Sequence, residues 1–453
     1  MMQFELTKQY LADLRKAIEG GNTTFLSQEM EKLHEVDIAD ILDELNMSEA
    51  KFLFSFIEEE KAADVMVELE DDVREKFLAA LSSKEIADQV IDNIESDDAA
   101  DVIAELPDKI KEEVISQIED PEQASDIVDL LNYEEGTAGG LMAKELIAVN
   151  QNWTVMKCLR EMRIQAEQME DVYAVYVVNN NNALLGLLSL NKMLVAPTNS
   201  IIDDIFDKEV TSVHTDTSSE EVANIMDKYD LVVLPVVDED GKLQGRITID
   251  DVVEIIKEEA EKDYQMASGI TEDVESSDKV WILSRARLPW LLIGLIGGIF
   301  GAKVIGLYEH DIKIYPEMAF FIPLIAAMGG NVGVQSSAII VQGLANNTLG
   351  MESIFTKLVK ELGVALINGI ICSVLILGYN LFFSDSMALS MTVSVALLSV
   401  IIIAGLFGTL VPLLLNKYDI DAALATGPFI TTINDILGLA VYFLIGRLMY
   451  LYF

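Results

Sequence analysis

Asp435 is the only charged residue between Asp421 and Arg447, and it lies in the otherwise uncharged run Ala425-Thr426-Gly427-Pro428-Phe429-Ile430-Thr431-Thr432-Ile433-Asn434-Asp435. Thr431 stands four residues earlier, on the same face of a helix. Pro428 removes a backbone donor, so carbonyls near Gly427 and Thr431 can turn out of the helical ladder. A carboxylate, a hydroxyl and freed carbonyls on one stripe form a hard oxygen site suited to Mg²⁺ or Ca²⁺. The plain alternative is a protonated aspartate hydrogen-bonded inside a helix bundle. Asn331 and Gln335, in Met328-Gly329-Gly330-Asn331-Val332-Gly333-Val334-Gln335-Ser336-Ser337, are also four apart and share a face, where amide oxygens can bond a hydrated ion. The glycines there equally suit close helix approach. A second concentration of acids, Asp250, Asp251, Glu254, Glu258, Glu259, Glu261 and Asp263, falls on a predicted helix. Asp251, Glu254 and Glu258 recur at i, i+3 and i+7. Like charges at this spacing repel, so counterions can control where such a helix sits.

These residues need two different settings, and composition supplies both. The 453 residues have a net charge of −44 together with a mean hydropathy of +0.32. Residues 284–453 hold only 9 acidic and 8 basic side chains, so all but one unit of the net charge falls on residues 1–283. An acidic half is thus fused to a nearly neutral, apolar one. Such a negative surface repels phosphate and excludes nucleic acid as a partner. Cys158 and Cys372 lie in different halves, which excludes a disulfide framework. No secretory signal is evident in Met1-Met2-Gln3-Phe4-Glu5, so the acidic half is expected in the cytosol.

Crossing ~30 Å of hydrocarbon takes about 20 helical residues, and five stretches qualify: 288–308, 318–345, 362–383, 387–415 and 422–446. Lys279, Arg285, Arg287, Lys357, Lys360 and Lys417 flank one side, with Lys313 opposing them and Arg447 at the far end of the last span. This bias places the acidic half inside and the C-terminus outside. Lys303, in the first span, is expected to snorkel toward the outer surface.

Residues 1–135 repeat a short phrase, as in Asp37-Ile38-Ala39-Asp40-Ile41-Leu42, Lys61-Ala62-Ala63-Asp64-Val65-Met66 and Asp98-Ala99-Ala100-Asp101-Val102-Ile103. Asp40, Asp64 and Asp88 are spaced by 24, and Asp101 and Asp126 by 25, which suits stacked helix pairs in an α-superhelix. From Met142 strand-length apolar runs alternate with helical stretches and repeat. Met142 to Val149 aligns with Phe206 to Val213 at an offset of 64, and Gly186 to Ser189 with Gly245 to Thr248 at 59, so the first copy carries a five-residue insertion. Two such units resemble a CBS-domain pair. In that likeness Gly245-Arg246-Ile247-Thr248-Ile249-Asp250-Asp251 is a nucleotide-contacting turn, where the Thr248 hydroxyl and Asp251 carboxylate hold ribose of ATP or another adenine nucleotide. The first copy ends Ser189-Leu190-Asn191-Lys192 without the acid, which leaves one nucleotide site at most, or a purely structural pair.

The multidomain order is an α-superhelical domain (1–135), an α/β CBS pair (136–255, units about 142–205 and 206–255), an acidic connector helix (256–283) and an all-α transmembrane domain (284–453). The whole chain resembles the MgtE family of magnesium channels, most specifically in Arg287-Leu288-Pro289-Trp290-Leu291-Leu292, Gly329 to Ser336, and Gly427-Pro428 through Asp435. The resemblance implies a homodimer in the plasma membrane, not an enzyme, with the pore between subunits and Asp435 as the selectivity residue. It implies cytosolic Mg²⁺ binding that closes the pore, with Asp421 joined to Glu258, Glu259 and Asp251, and with Asp97 and Asp101 as further acids. Where the family carries Asn beside the proline, this chain has Gly427, so only a carbonyl is left to act there. Two rival readings stay open: a proton- or sodium-coupled divalent exchanger, and a membrane-anchored sensor or enzyme. No Walker-type loop is present, so ATP hydrolysis is not expected.

Overall fold

The computed structural model describes the chain except residues 1–3, 167–168, 170–171, 272–273, 275–277, 346–352, 385, 419, 426 and 452–453, and leaves out the side-chain surroundings of 59, 60, 72, 423 and 425. It divides into two compact units, Met1–Ile256 and Lys257–Phe453.

Among the described residues, ten α-helices of 7 to 12 residues run from Lys8 to Leu130. Helices this short are marginal alone and persist by burying one stripe. The repeated phrase is that stripe. Ile38, Ala39, Ile41 and Leu42 are buried around exposed Asp40, and Ala99, Ala100, Val102 and Ile103 around Asp101. The 24-residue period corresponds to a helix pair, Glu35–Asp43 with Met47–Phe54 and then Glu59–Val67 with Asp71–Leu78. Capping boxes at Asn46/Glu49 and Ser82/Glu85 satisfy the orphan amides that begin two of these helices.

The following α/β region contains two three-stranded sheets of the same design. In the first, β1 (Ile147–Asn150) pairs parallel with β2 (Val175–Val178), which pairs antiparallel with β3 (Leu184–Leu187). In the second, β4 (Val213–His214), β5 (Val233–Val237) and β6 (Leu243–Thr248) repeat that order. Bridges Ala143↔Arg246 and Leu187↔Asp207 are reciprocal: the lead-in of each copy pairs with the third strand of the other. The aligned residues Met162 and Met226 are both buried helix residues. Cys158 is buried beside Met162 and Met193, and burial pushes its thiol up to about 11, a packed and unreactive state.

A single helix, Ile249–Ala267, leaves β6 directly, so the connector begins inside the second CBS copy rather than after it. Nothing in Ile249-Asp250-Asp251-Val252-Val253-Glu254 stops a helix, and the next positive-φ glycine is Gly269.

Five helices long and apolar enough to span a membrane follow: Val280–Leu307, Pro316–Ala345, Ile354–Phe383, Met387–Lys417 and Gly427–Met449. The first and third begin eight residues before their hydropathic cores, carrying Arg285, Arg287, Lys357, Lys360 and Glu361 on helix. Hydropathy marks only the hydrocarbon crossing, whereas helical hydrogen bonding continues into the interface. The fourth span packs against the second, third and fifth. Buried Tyr442 ties the fifth to the second, its hydroxyl donating to Met318 O at 2.8 Å.

Candidate functional site

The fifth span corrects the expected role of Pro428. The stretch expected to start the span at residue 422 is instead a separate 3₁₀ turn, Ala422–Ala425, and the α-helix starts at Gly427. Pro428 therefore opens the helix, where its missing N–H is not needed, and does not break one. Gly427 has φ +51°. Its carbonyl accepts the Thr431 hydroxyl at 2.9 Å, so this oxygen is oriented by a neighbour instead of being released from the ladder.

Asp435 sits two turns along, half-buried. The second span passes close by because it has no side chain where the helices meet. A Cβ on Gly330 would lie 3.1 Å from Thr431 Cγ2 and 3.5 Å from Asp435 Oδ1, and one on Gly333 would overlap Asn434 Nδ2 at 1.8 Å. Both glycines thus pack the two helices together and place Thr431 and Asp435 on one wall. Asn331 and Gln335 stand on the exposed face of that second helix, on a common side.

Sequence reading passed over two residues. Asn434 is 1% exposed, and neither amide atom has a hydrogen-bond partner among the described residues. Glu361 accepts a 2.7 Å hydrogen bond from Ser336 Oγ, joining the third span to the second. The signal for Asn434 was a second polar residue beside Asp435. Glu361 was hidden because it lies just outside the hydropathic core of its span.

The second site lies in the Met1–Ile256 unit. Helix Ser96–Ala104 brings Asp97, Asp98 and Asp101, and the first turn of the connector helix brings Asp250 and Asp251. Asp251 Oδ2 accepts from Thr248 N at 3.1 Å and Thr248 Oγ1 at 2.7 Å, so the hydroxyl and carboxylate considered for ribose are bonded to each other. Ser96 donates through Oγ and N to Glu145 Oε2 at 2.7 and 3.3 Å, pinning the start of the aspartate-bearing helix to the CBS lead-in. Arg246, only 2% exposed, reaches Glu95 with both carboxylate oxygens at 2.6 and 2.8 Å and also donates to Glu145 O. The nearest buried cation is therefore already committed.

The aspartates report the resulting imbalance. Burial holds the Asp97 carboxyl well above the usual range, with Asp98 and Asp251 adding repulsion. Burial pushes Asp98 up to about 7, with Asp251 and Asp101 next in effect. Asp101, with part of its surface open to solvent, is raised to about 6 by burial of its carboxyl and then by Glu135, against Arg74. Asp251 is raised by burial despite its bonds from Thr248. Glu254, exposed one turn on, contributes to the field at Asp98 and Asp101. Among the described residues no three such groups converge as a ready-made metal cage. The donor set is all oxygen, which fits a hydrated Mg²⁺ that touches one or two carboxylates at a time.

The remaining candidates belong to the Lys257–Phe453 unit. Glu258 is exposed, Glu259 pairs with Lys262 at 3.3 Å, and Asp421 stands exposed just before the 3₁₀ turn.

An acid inside a bundle of five apolar, span-length helices, preceded by two α/β repeats and an acidic helical array, defines a membrane transporter. Family models match in that order: the MgtE intracellular N domain at residues 33–136, CBS domains at 138–198 and 202–258, and the MgtE divalent cation transporter domain at 322–445. Magnesium transporter MgtE of Thermus thermophilus is 31% identical over 98% of this chain and 99% of its own length. The Bacillus subtilis protein of that name is 32% identical over 69% and 70%, and that of Enterococcus faecalis 34% over 72% and 71%. A solved cytosolic domain of the Mg²⁺ channel MgtE in complex with ATP is 34% identical, covers 54% of this chain and 99% of its own, and superposes with a TM-score of 0.50. The chain belongs to the MgtE family of divalent cation transporters.

Proposed function

We propose that this protein is a Mg²⁺-selective channel of the plasma membrane, a homodimer that admits the ion down its electrochemical gradient and closes when cytosolic Mg²⁺ is plentiful. The carrying observation is the stripe of Gly427 O, Thr431 Oγ1 and Asp435 on the fifth span, beside the second span at Gly330. A carboxylate within an apolar bundle is expensive unless it faces water or an ion. Contributed once per subunit, Asp435 gives two negative charges to a dication that keeps several of its waters, and Asn331 and Gln335 on the exposed face hydrogen-bond those waters. Transport needs no fuel, because one charge crossing 100 mV gains ~2.3 kcal/mol and a dication about twice that.

Closure follows from the carboxylates. Without Mg²⁺, ionising Asp97, Asp98, Asp101 and Asp251 together is opposed by burial and mutual repulsion. Bound Mg²⁺ offsets that repulsion. Glu254 in the first unit, and Glu258, Glu259 and Asp421 in the second, are further acids that the reading assigns to cytosolic Mg²⁺. The relative whose cytosolic domain is solved with ATP supports an adenine nucleotide on this half of the chain; in this reading it sits at the CBS pair, with Thr248 and Asp251 at the turn.

Liposome patch recording with Mg²⁺ varied on the cytosolic face tests both parts. Passive Mg²⁺ current through wild type, lost in Asp435→Ala and suppressed by cytosolic Mg²⁺, is the expected result. Flux that requires a proton or sodium gradient would replace the channel with an exchanger.

A further inference from the structure

Gly269 and Gly427 are two of the five positive-φ glycines among the described residues, at +83° and +51°, and they meet each other's helix ends. Gly269 closes the connector helix in a Schellman arrangement: its N–H donates to Met266 O at 3.0 Å and the Ile270 N–H to Gln265 O at 3.0 Å. A Cβ on Gly269 would lie 2.7 Å from Pro428 Cγ and 3.2 Å from Pro428 Cδ. A Cβ on Gly427 would lie 2.3 Å from Ala267 O, one of the last carbonyls of the connector helix. The negative end of one helix thus abuts the positive end of another, a favourable pairing of dipoles. The chain beyond is fastened as well. Thr271 donates through N and Oγ1 to Ala286 O of the first span at 3.0 and 2.9 Å, and Gln265 makes two 3.1 Å bonds to the backbone of Val274.

We infer that Gly269 and Gly427 form a side-chain-free latch through which the connector helix sets the position of the fifth span's first turn, making Gly427 a positioning residue for Thr431 and Asp435. This rests on the regulated-channel reading. The helix that begins with Asp250 and Asp251 ends on Pro428, and Gly427 O holds Thr431 one turn before Asp435. A displacement at Ala267 is therefore delivered by backbone contact, with no flexible side chain to absorb it. It also explains the glycine beside Pro428. An asparagine there would need both a left-handed backbone and the space that Ala267 O occupies.

The test is single-channel recording of the full-length protein in liposomes, with cytosolic Mg²⁺ titrated. Gly269→Ala puts a methyl group against Pro428, and the Mg²⁺ concentration for half-closure is expected to rise at least about fivefold, the low end of ordinary coupling between sites, with unitary conductance unchanged. Gly427→Ala should shift half-closure in the same direction. Gly269→Ala combined with Pro428→Ala removes the ring that the methyl meets and should return half-closure toward wild type. A purely structural role would lower the number of active channels and leave half-closure where it was. Wild type that closes with Mg²⁺, alongside Gly269→Ala closing at the same concentration, would overturn the latch alone. Wild type indifferent to Mg²⁺ would overturn the regulatory reading together with it.

Discussion

Asp98→Asn keeps the shape of one member of the buried acid cluster and removes its charge. Burial and the neighbouring Asp251 raise the Asp98 carboxyl from 3.8 to about 7. Each pH unit is worth ~1.4 kcal/mol, so ionising this group above pH 7 opposes the fold by up to about 4 kcal/mol. The folded state binds the proton more tightly than the unfolded state does. Stability therefore falls as pH rises through the window from 3.8 to about 7, and is greatest below it. Without Mg²⁺ at pH 8, Asp98→Asn should then be more stable than wild type by about 2 to 4 kcal/mol, because the strain is shared with Asp97. At pH 5 the gap should shrink to about 1 to 2 kcal/mol, because Asp98 is then neutral in the folded state but already largely ionised in the unfolded one. Adding Mg²⁺ at pH 8 should stabilise wild type more than the variant. Thermal unfolding of the detergent-solubilised full chain, followed by circular dichroism, reads all three conditions. A variant less stable than wild type at pH 8 without Mg²⁺, or an equal difference at both pH values, would refute the reasoning.

Asp435→Asn should lower Mg²⁺ flux into liposomes by more than about tenfold, or ~1.4 kcal/mol of lost ion stabilisation, while leaving the amount of inserted protein unchanged. Because protons compete for Asp97 and Asp98, the Mg²⁺ needed for half-closure should rise as the cytosolic pH falls from 8 to 6, measured by patch recording. Arg246→Met should destabilise the chain by about 3 kcal/mol in thermal unfolding, because it strands Glu95, while Glu95→Gln should cost less. Asn434→Leu removes two unpaired amide atoms of similar bulk, so its melting temperature in detergent should rise; a fall would show that the amide has a partner in the assembled membrane protein.

Asp435 stood out in the sequence because charge is rare in a hydrocarbon-length run, and solvation alone fixes that rarity. The five spans, the repeated helical phrase and the tandem α/β copies were legible for a similar reason: burial imposes a periodicity that each segment must carry locally. Pro428 was misread because a proline inside an apolar run and a proline opening a helix look alike until the backbone on either side is known. Glu361 and Asn434 were missed since their meaning depends on Ser336 and Gly333, residues of another span. The raised protonation of Asp97 and Asp98 comes first from burial and then from neighbouring acids, among them the connector's Asp251, more than 150 residues further along the chain. The sequence by itself determined which segments are buried, which cross the membrane and which residue types could meet an ion. Only the tertiary structure decided which of them meet, because desolvation, charge coupling and the close approach of glycines depend on distances between elements that chain order does not encode.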